Sequence, residues 1–261
     1  TVEHVTWDVP GRHIIDTWLL LQAYDVSKRS LESYGLKYAA QHFGFAREGR
    51  AVVEPDRISW YWDHEPDTLV RYALDDVSET RLLSEVLSPT HFYLSSMIPF
   101  NFGAVARIGS AAKIESLILR EYVRQKHSVP RPAAGVQTTG GYTDIFYTGI
   151  LGPVVEVDIE SLYPSIMLID RIGPHSETLG VFHRLLENLT HLRLNTKRRM
   201  ERARDPVLKT KCDAMQSSFK ILINSFYGYL GYAPALFSDP DAADRVTQKG
   251  QDLLRQLISA I

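Results

Sequence analysis

Two segments of the sequence contain residues whose types and spacing suit chemistry on a phosphate ester. In the first, Asp158 lies near the end of the β-branched run 154–159, and Pro164 after it fits the first turn of a helix. The carboxylate of Asp158 can hold Mg²⁺ through oxygen, while free backbone N–H groups of Ser161 and Leu162 can face an anionic phosphate. The spacing therefore predicts a metal and a phosphate at one junction of strand and helix.

The second segment, residues 216–228, predicts an amphipathic helix with a polar face. An apolar stripe, Met215, Phe219, Leu222 and Phe226, would pack against a neighbouring element. Gln216, Lys220 and Asn224 lie four apart on a neighbouring face, from which they can reach one ligand. A solvent-facing Lys/Asn pair is the alternative interpretation.

The net charge of −2 does not favour nucleic-acid binding, but the basic residues are unevenly distributed. Between Arg184 and Lys211 there are nine Lys/Arg and three acids, which favours a polyanion nearby. In the helix predicted here, Arg193 and Lys197 stand one turn apart, and a break at 204–206 would bring them towards Lys220. A solvated helix face is again the alternative.

The string DIESLYPSI, residues 158–166, resembles the first palm motif of the family B (alpha-type) DNA polymerases. The resemblance implies that Asp158 ligates both catalytic metals, that the Ile159 carbonyl reaches one of them, and that Ser161 and Leu162 contact the triphosphate. It also implies that Tyr163 lies under the sugar, where its ring excludes a 2′-hydroxyl by clash.

KILINSFYG, residues 220–228, resembles the fingers motif of the same family. The resemblance implies that Lys220 binds the triphosphate and donates a proton to pyrophosphate, and that Asn224 helps to place the nucleotide. Tyr227 and Gly228 would close over the nascent base pair on the DNA. The pair Arg193 and Lys197 is similar to the Arg-x-x-x-Lys of the first fingers helix, so three cations would neutralise charge that builds during phosphoryl transfer.

Near the start of the chain, Tyr72 and Asp76 lie one helical turn apart. They resemble the last exonuclease motif of these enzymes, in which the tyrosine orients the attacking water and the aspartate binds metal. GRHIIDTW resembles a strand of the same proofreading domain, and Asp16 is interpreted as structural in that strand.

The expected fold is a mixed α/β (α+β) arrangement. Part of an RNase H-like exonuclease domain (1–90) precedes connecting helices and a linker (91–140), and the first part of a β-sheet palm follows (141–180). A two-helix fingers module (181–229) and a continued palm (230–261) complete it. Helices are predicted at 111–124, 182–203 and 207–227, at about 66–87, and from about 239.

The expected activity is template-directed addition of dNTPs to a primer 3′-hydroxyl by a two-metal Mg²⁺ mechanism, with an associated 3′–5′ exonuclease domain. The resemblance also implies an Asp-Thr-Asp palm hairpin and two upstream exonuclease aspartate motifs, none of which is in the sequence. The chain is therefore expected to be a segment or a shortened relative of a polymerase, inactive alone. Expected partners are primer-template DNA and a replisome or sliding-clamp protein.

Two other functions are open on the sequence. Asp158-Ile159-Glu160 is itself an Asp-x-Glu, the opening motif of an RNase H-like exonuclease, although Tyr72 and Asp76 precede it rather than follow it. A catalytically inactive, polymerase-like scaffold that binds DNA is the second.

Composition excludes other classes of protein. A single cysteine, Cys212, excludes a disulfide framework, and no Cys/His pair has zinc-ligand spacing. No apolar run approaches the ~20 residues of a membrane helix, and the first residues lack a signal-peptide pattern. The expected location is cytoplasmic (a prokaryotic nucleoid) or otherwise intracellular, without membrane contact.

Overall fold

The computed structural model describes residues 9–131 and 140–260, except the side chains of residues 27 and 28, and their regular structure is helical. The first five helices are α1 (Thr17–Lys28), α2 (Leu36–His42), α3 (Ile58–His64), α4 (Pro66–Met97) and α5 (Phe102–Val105). The others are α6 (Ser110–Arg124), α7 (Leu162–Ile169), α8 (Val181–Arg202), α9 (Pro206–Leu230) and α10 (Pro240–Ala260). In these ranges, no helix combines the length and apolarity needed to span a bilayer.

The predicted mixed α/β fold is wrong, because the described residues contain no strand and no sheet. Residues 154–159, predicted as a palm strand, form irregular chain, with Val154 and Val155 75% and 85% exposed. β-Branched residues favour a strand only where a neighbouring strand supplies hydrogen bonds and a packing surface. Here residues 154–158 are exposed and no strand of the described structure pairs with the run, so its local preference is not realised.

The strand predicted around Asp16 is also wrong. Asp16 is the N-cap of α1, where its carboxylate accepts a hydrogen bond from the backbone N–H of Trp18 at 2.9 Å. An aspartate at this position satisfies one of the backbone donors that a helix leaves unpaired at its start. Asp16 is therefore structural, as expected, but in a helix cap.

The helices predicted from periodicity are confirmed to within a few residues at most ends, and α4 extends ten residues beyond the predicted Leu87 to Met97. Part of the predicted linker, residues 132–139, lies outside the described residues. The chain divides into two compact units. The first contains residues up to Ser96 and Phe100–Arg107, and the second contains Met97–Pro99 and the chain from Ile108.

The first unit is built around a small core that joins α1, α2 and α4. Leu20 and Leu21 of α1 pack with Ala39 of α2 and with Leu83 and Leu87 of α4. On α4, Glu79 is 4% exposed at its side chain and pairs with Arg50, so a buried ion pair accompanies the apolar contacts.

The second unit is organised by an antiparallel pair of long helices, α8 and α9, joined by a three-residue turn at 203–205. The ring of Phe182, near the start of α8, packs edge-on against Phe226, near the end of α9, at 4.9 Å between centroids. One of the unpaired backbone donors at the start of α9 is satisfied by the Asp205 side chain, which accepts from Val207 N–H at 3.0 Å. Helix α6 packs against both helices of the pair, and α10 packs against α9 and α7.

A buried carboxylate, Glu177, fixes the start of α8. It accepts hydrogen bonds from the hydroxyl of Tyr122 (2.9 Å), from Leu179 N–H (2.9 Å) and from Phe182 N–H (3.0 Å). The Tyr122 oxygen in turn accepts from Thr178 N–H at 2.9 Å. Burial is the main reason why the pKa of Tyr122 is raised. Glu177 therefore links α6 to the N-terminus of α8.

A second carboxylate, Asp239, fixes α10. One oxygen accepts from the backbone N–H of His175 at 2.9 Å and contacts its Nδ1, and the other caps α10 by accepting from Ala242 N–H at 2.9 Å. Burial acts to raise the pKa of Asp239, but these hydrogen bonds stabilise the charged form more, and the net pKa is lowered. The ionised carboxylate therefore stabilises the fold.

We expect Glu177→Gln to lower the free energy of unfolding of the protein by about 1–3 kcal/mol, because the amide leaves one of three buried donors without an acceptor. Urea unfolding followed by circular dichroism measures this change. Glu187→Gln, which removes an exposed carboxylate of the same helix α8, is the matched control. Equal stability of both variants would contradict the assigned role of Glu177.

We expect Asp239→Asn to be less stable than the wild type at pH 7 and to approach it in acid. The folded-state pKa of Asp239 lies below the ordinary value of 3.8, so its stabilisation is complete above that value and is lost as the pH falls through the folded pKa. Urea unfolding at pH 7 and at successively lower pH checks this. The control is Asp241→Asn, an exposed acid in the first turn of α10. A stability difference that stays constant with pH would argue against a role for the charge of Asp239.

Candidate functional site

The site lies in the second unit, at the point where irregular chain enters α7. Ser161, the N-cap of α7, has a left-handed backbone conformation with φ 57°, which turns the chain from the exposed segment into the helix. Asp158 is exposed on that segment and Ile159 is half-buried. The backbone N–H groups of Leu162 and Tyr163 follow this turn and have no partner within the first turn of the helix.

A cleft of about 280 Å³ lies between the start of α7 and the C-terminal half of α9. Its lining residues are Ser161, Leu162, Tyr163, Pro164, Asn224 and Tyr227. The structure therefore brings together, in one cleft, five of the residues that the sequence predicted to contact nucleotide or DNA.

Two tyrosines form one wall of the cleft. The rings of Tyr163 and Tyr227 pack at 4.5 Å between centroids. The pKa of Tyr227 is raised, mainly by burial and also by the nearby Tyr163 and Asp244. The Tyr163 ring also lies against Gly250 of α10, where an added Cβ would come within 2.9 Å of Tyr163 Cε1. A glycine at position 250 therefore lets the ring lie close to the α10 backbone.

Two cations of α8 lie beside the cleft. Arg193, whose side chain is 14% exposed, donates a hydrogen bond through Nη1 to Ser161 Oγ at 3.2 Å. Its Nε is buried and lacks a hydrogen-bond partner among the described residues. The carboxylate of Glu160 lies 3.5 Å from Lys197 Nζ and 3.9 Å from Arg193 Nη2. The arginine thus has a buried donor that is unsatisfied within the described residues.

Other predicted residues lie outside this cluster. Lys220 is exposed on α9, one turn from Asn224, and makes no hydrogen bond or ion pair within the described ranges. Gly228 is exposed, with open space where a side chain would project. The predicted meeting of Lys220 with Arg193 and Lys197 is therefore not seen as a contact, although all three belong to the same helix pair.

The predicted Mg²⁺ ligands are hard oxygen donors, and their chemistry fits that ion. Asp158 offers an exposed carboxylate and Ile159 a carbonyl, whereas Glu160 is engaged by Lys197 and Arg193. In the parts of the chain that the structure describes, no three His, Cys, Asp or Glu side chains come close enough to form a metal cage. Asp158 can therefore contribute one carboxylate to a shared metal.

In the first unit, the predicted exonuclease residues contact basic side chains. The Arg50 guanidinium pairs with Asp76 and also donates to Glu79, through Nε at 2.6 Å and Nη2 at 2.9 Å. The hydrogen bond to Glu79 is the main reason why the pKa of Arg50 lies above its ordinary value. Burial acts to lower this pKa, and the charges of Glu79 and Asp76 raise it further. The ring of Tyr72 lies under Lys37, with 4.9 Å from Nζ to the ring centroid. Asp76 is thus paired with a guanidinium in this structure, and the metal and exonuclease roles of Asp76 and Tyr72 stay predictions.

Sequence reasoning missed three residues that shape the second unit. Glu160 was considered only as part of an Asp-x-Glu pattern, and spacing along the chain cannot reveal its contact with α8. Glu177 lies in a loop without periodicity, so it gives no sequence signal. Gly250 does give one, because a glycine inside an amphipathic helix often marks a close packing contact.

Comparisons with known proteins point to one family. The model of DNA polymerase family B matches residues 170–261. A DNA polymerase of Archaeoglobus fulgidus is 27% identical over 94% of this chain and 34% of its own length. That of Thermococcus sp. is 26% identical over 90% of this chain and 34% of its own length. The catalytic subunit of DNA polymerase alpha from Saccharomyces cerevisiae is 34% identical over 41% of this chain and 9% of its own length.

A solved structure agrees at the level of the fold. The family B DNA polymerase from Pyrobaculum calidifontis superposes with a TM-score of 0.77 at 23% identity, over 97% of this chain and 37% of that protein. The chain thus spans about a third of the length of the archaeal relatives it matches. The family model, the archaeal relatives and the common fold all show that this chain is similar to the family B DNA polymerases.

Proposed function

We propose that this chain supplies the nucleotide-binding part of a DNA polymerase active site, which adds deoxynucleotides to a primer 3′-hydroxyl as directed by a template. One observation carries the proposal: Arg193 of α8 contacts Ser161, which lines the cleft together with Tyr163 and Asn224, and Lys197 contacts the preceding residue, Glu160. A nucleoside triphosphate consists of a polyanionic tail, a sugar and a base. The two cations suit the tail, and the cleft suits the sugar and the base.

The triphosphate would lie between the start of α7 and the two cations of α8. The N–H groups of Leu162 and Tyr163, which have no partner within α7, are donors for phosphate oxygens, and the Arg193 guanidinium beside Ser161 adds further donors. Lys197, whose side chain is 41% exposed, adds a second positive charge. These fixed donors would neutralise the charge that develops on the phosphates during transfer.

Lys220 would complete the phosphate site by moving towards it with α9. The ammonium is now exposed and lies one turn from Asn224, which lines the cleft. Closure of the α8–α9 pair over a bound nucleotide would bring its proton towards the leaving pyrophosphate. Such closing motions complete the catalytic arrangement in many enzymes.

Asp158 would hold Mg²⁺ with the carbonyl of Ile159 and would keep this charge next to the reacting phosphate. A bound Mg²⁺ would supply Lewis-acid stabilisation of the phosphoryl oxygens and favour loss of the primer hydroxyl proton. The exposure of Asp158 supports this role, since metal, primer and nucleotide must all approach the same carboxylate.

Tyr163 would select the sugar. Its ring is confined between Tyr227 and the backbone at Gly250, so it cannot move aside without disturbing α9 or α10. A rigid ring under the sugar admits a deoxyribose and clashes with a 2′-hydroxyl. Tyr227 and the adjacent Gly228 would face the nascent base pair on primer-template DNA.

The whole protein would then work inside the cell, where DNA and dNTPs are found, with a replisome or sliding-clamp protein as a further partner. The fold likeness to a family B polymerase and the archaeal relatives support the DNA-synthesis role. A DNA-binding scaffold without catalysis is the competing proposal, and the intact Asp158 and Arg193 weigh against it.

We expect the protein expressed from its complete reading frame to extend a labelled primer with Mg²⁺ and dNTPs, and Asp158→Asn to reduce the rate by at least about a hundredfold, because loss of this carboxylate weakens the hold on the metal. Glu156→Gln neutralises another exposed acid of the same segment and serves as the control. If the wild type binds DNA without extending it, the scaffold proposal replaces this one. An Asp158→Asn variant as fast as the control would refute the assignment of Asp158.

We expect Tyr163→Ala to raise incorporation of ribonucleotides relative to deoxynucleotides by about 10- to 200-fold, because removal of the ring removes the clash with the 2′-hydroxyl. Single-nucleotide primer extension with dATP and ATP measures the ratio of kcat/KM. Tyr163→Phe keeps the ring and should keep the selectivity of the wild type. Equal selectivity in the alanine variant would show that another residue excludes the 2′-hydroxyl.

A further inference from the structure

Glu160 places a carboxylate in the position that the proposed function gives to a phosphate. Its Oε1 atom lies 3.5 Å from Lys197 Nζ and 3.9 Å from Arg193 Nη2, and Ser161, the next residue, accepts a hydrogen bond from Arg193. Among the described residues, no other acid forms an ion pair with either cation. The carboxylate thus provides the negative charge that an incoming polyphosphate would otherwise bring.

The surroundings of Glu160 allow it to leave. Its side chain is 70% exposed, and it belongs to the irregular segment that precedes α7. An exposed ion pair is weak and is screened by salt, since water solvates both charges well when they separate. Arg193 by contrast is 14% exposed, and its hydrogen bond to Ser161 does not involve the Glu160 carboxylate.

We propose that Glu160 is an internal competitor for the phosphate site, which neutralises Arg193 and Lys197 in the free protein and is displaced by the triphosphate of the nucleotide. The inference rests on the proposed function, because it takes the two cations as the phosphate site. Glu160 thereby lowers the affinity for nucleotide and sets a higher KM without taking part in the transfer step.

Glu160 could compete with phosphate or could position the two cations, and these two roles predict opposite effects of its removal on polyphosphate binding. If Glu160 competes with phosphate, its loss strengthens polyphosphate binding. If Glu160 instead holds Arg193 and Lys197 in the geometry that binds phosphate, its loss weakens binding. The hydrogen bond from Arg193 to Ser161 favours the first outcome, because it gives the guanidinium a contact besides the one to the Glu160 carboxylate.

The test measures binding of inorganic triphosphate and of dATP to the full chain by isothermal titration calorimetry at low salt. We expect Glu160→Gln to tighten both by about two- to fivefold, which is the range that an exposed ion pair allows. Glu156→Gln removes an equal charge from the same exposed segment and should leave both affinities unchanged. In primer extension, Glu160→Gln should lower KM for dATP with kcat unchanged.

Variants of the cations separate failure of this inference from failure of the proposed function. Arg193→Ala/Lys197→Ala should weaken triphosphate binding, and in that background Glu160→Gln should have no further effect. If the double variant binds triphosphate as the wild type does, the proposed function fails and this inference with it. If the double variant binds triphosphate weakly, the proposed function stands. If the single variant Glu160→Gln then binds triphosphate no more tightly than Glu156→Gln does, the inference alone is overturned.

Discussion

The antiparallel packing of α8 on α9 is the constraint on which the second unit depends. Phe182 and Phe226 meet at 4.9 Å, which fixes the register of the two helices where α8 begins and α9 nears its end. Glu177 holds the start of α8 by accepting from Phe182 N–H, so the helix is anchored at its base. With the apolar faces buried against each other, Arg193 and Asn224 are left on surfaces that face the turn before α7.

The site combines this rigid pair with a weakly held segment. The chain before α7 is irregular and exposed, and Ser161 and Glu160 connect it to α8 through Arg193 and Lys197. Hydrogen bonds and exposed ion pairs of this kind contribute little to stability compared with the buried apolar contacts of the helix pair. The segment that carries Asp158 can therefore adjust to metal, primer and nucleotide while Arg193 and Lys197 keep their positions on the helix pair.

The features that the sequence predicted well depend on local interactions. The helix pair follows from an apolar stripe, an Asp205 cap and a proline at the first position of α9, all within one segment of chain. The palm strand was wrong because pairing of strands depends on residues far away in sequence, and the run at 154–159 finds no partner in the described chain. The apolar run around Asp16 is compatible with a strand or a helix. The Asp16 carboxylate favours the helix because it accepts a hydrogen bond from a backbone N–H at the helix start. The contact of Glu160 with α8 joins positions more than thirty residues apart, which spacing alone cannot reveal.

Burial decides what a contact between an acid and a basic residue can do in this protein. In the first unit, Glu79 is 4% exposed and is held by Arg50 together with Asp76, so separating the charges would leave an acid in a poorly solvated place. At the candidate site, Glu160 is 70% exposed, and water stabilises it once Lys197 is released. The contact of Arg50 with Glu79 is therefore fixed, whereas the contact of Lys197 with Glu160 can be exchanged for another. A motif such as Tyr-x-x-x-Asp predicts only that two side chains share one face of a helix. Which residue contacts that face, and how exposed the contact is, determines the chemistry.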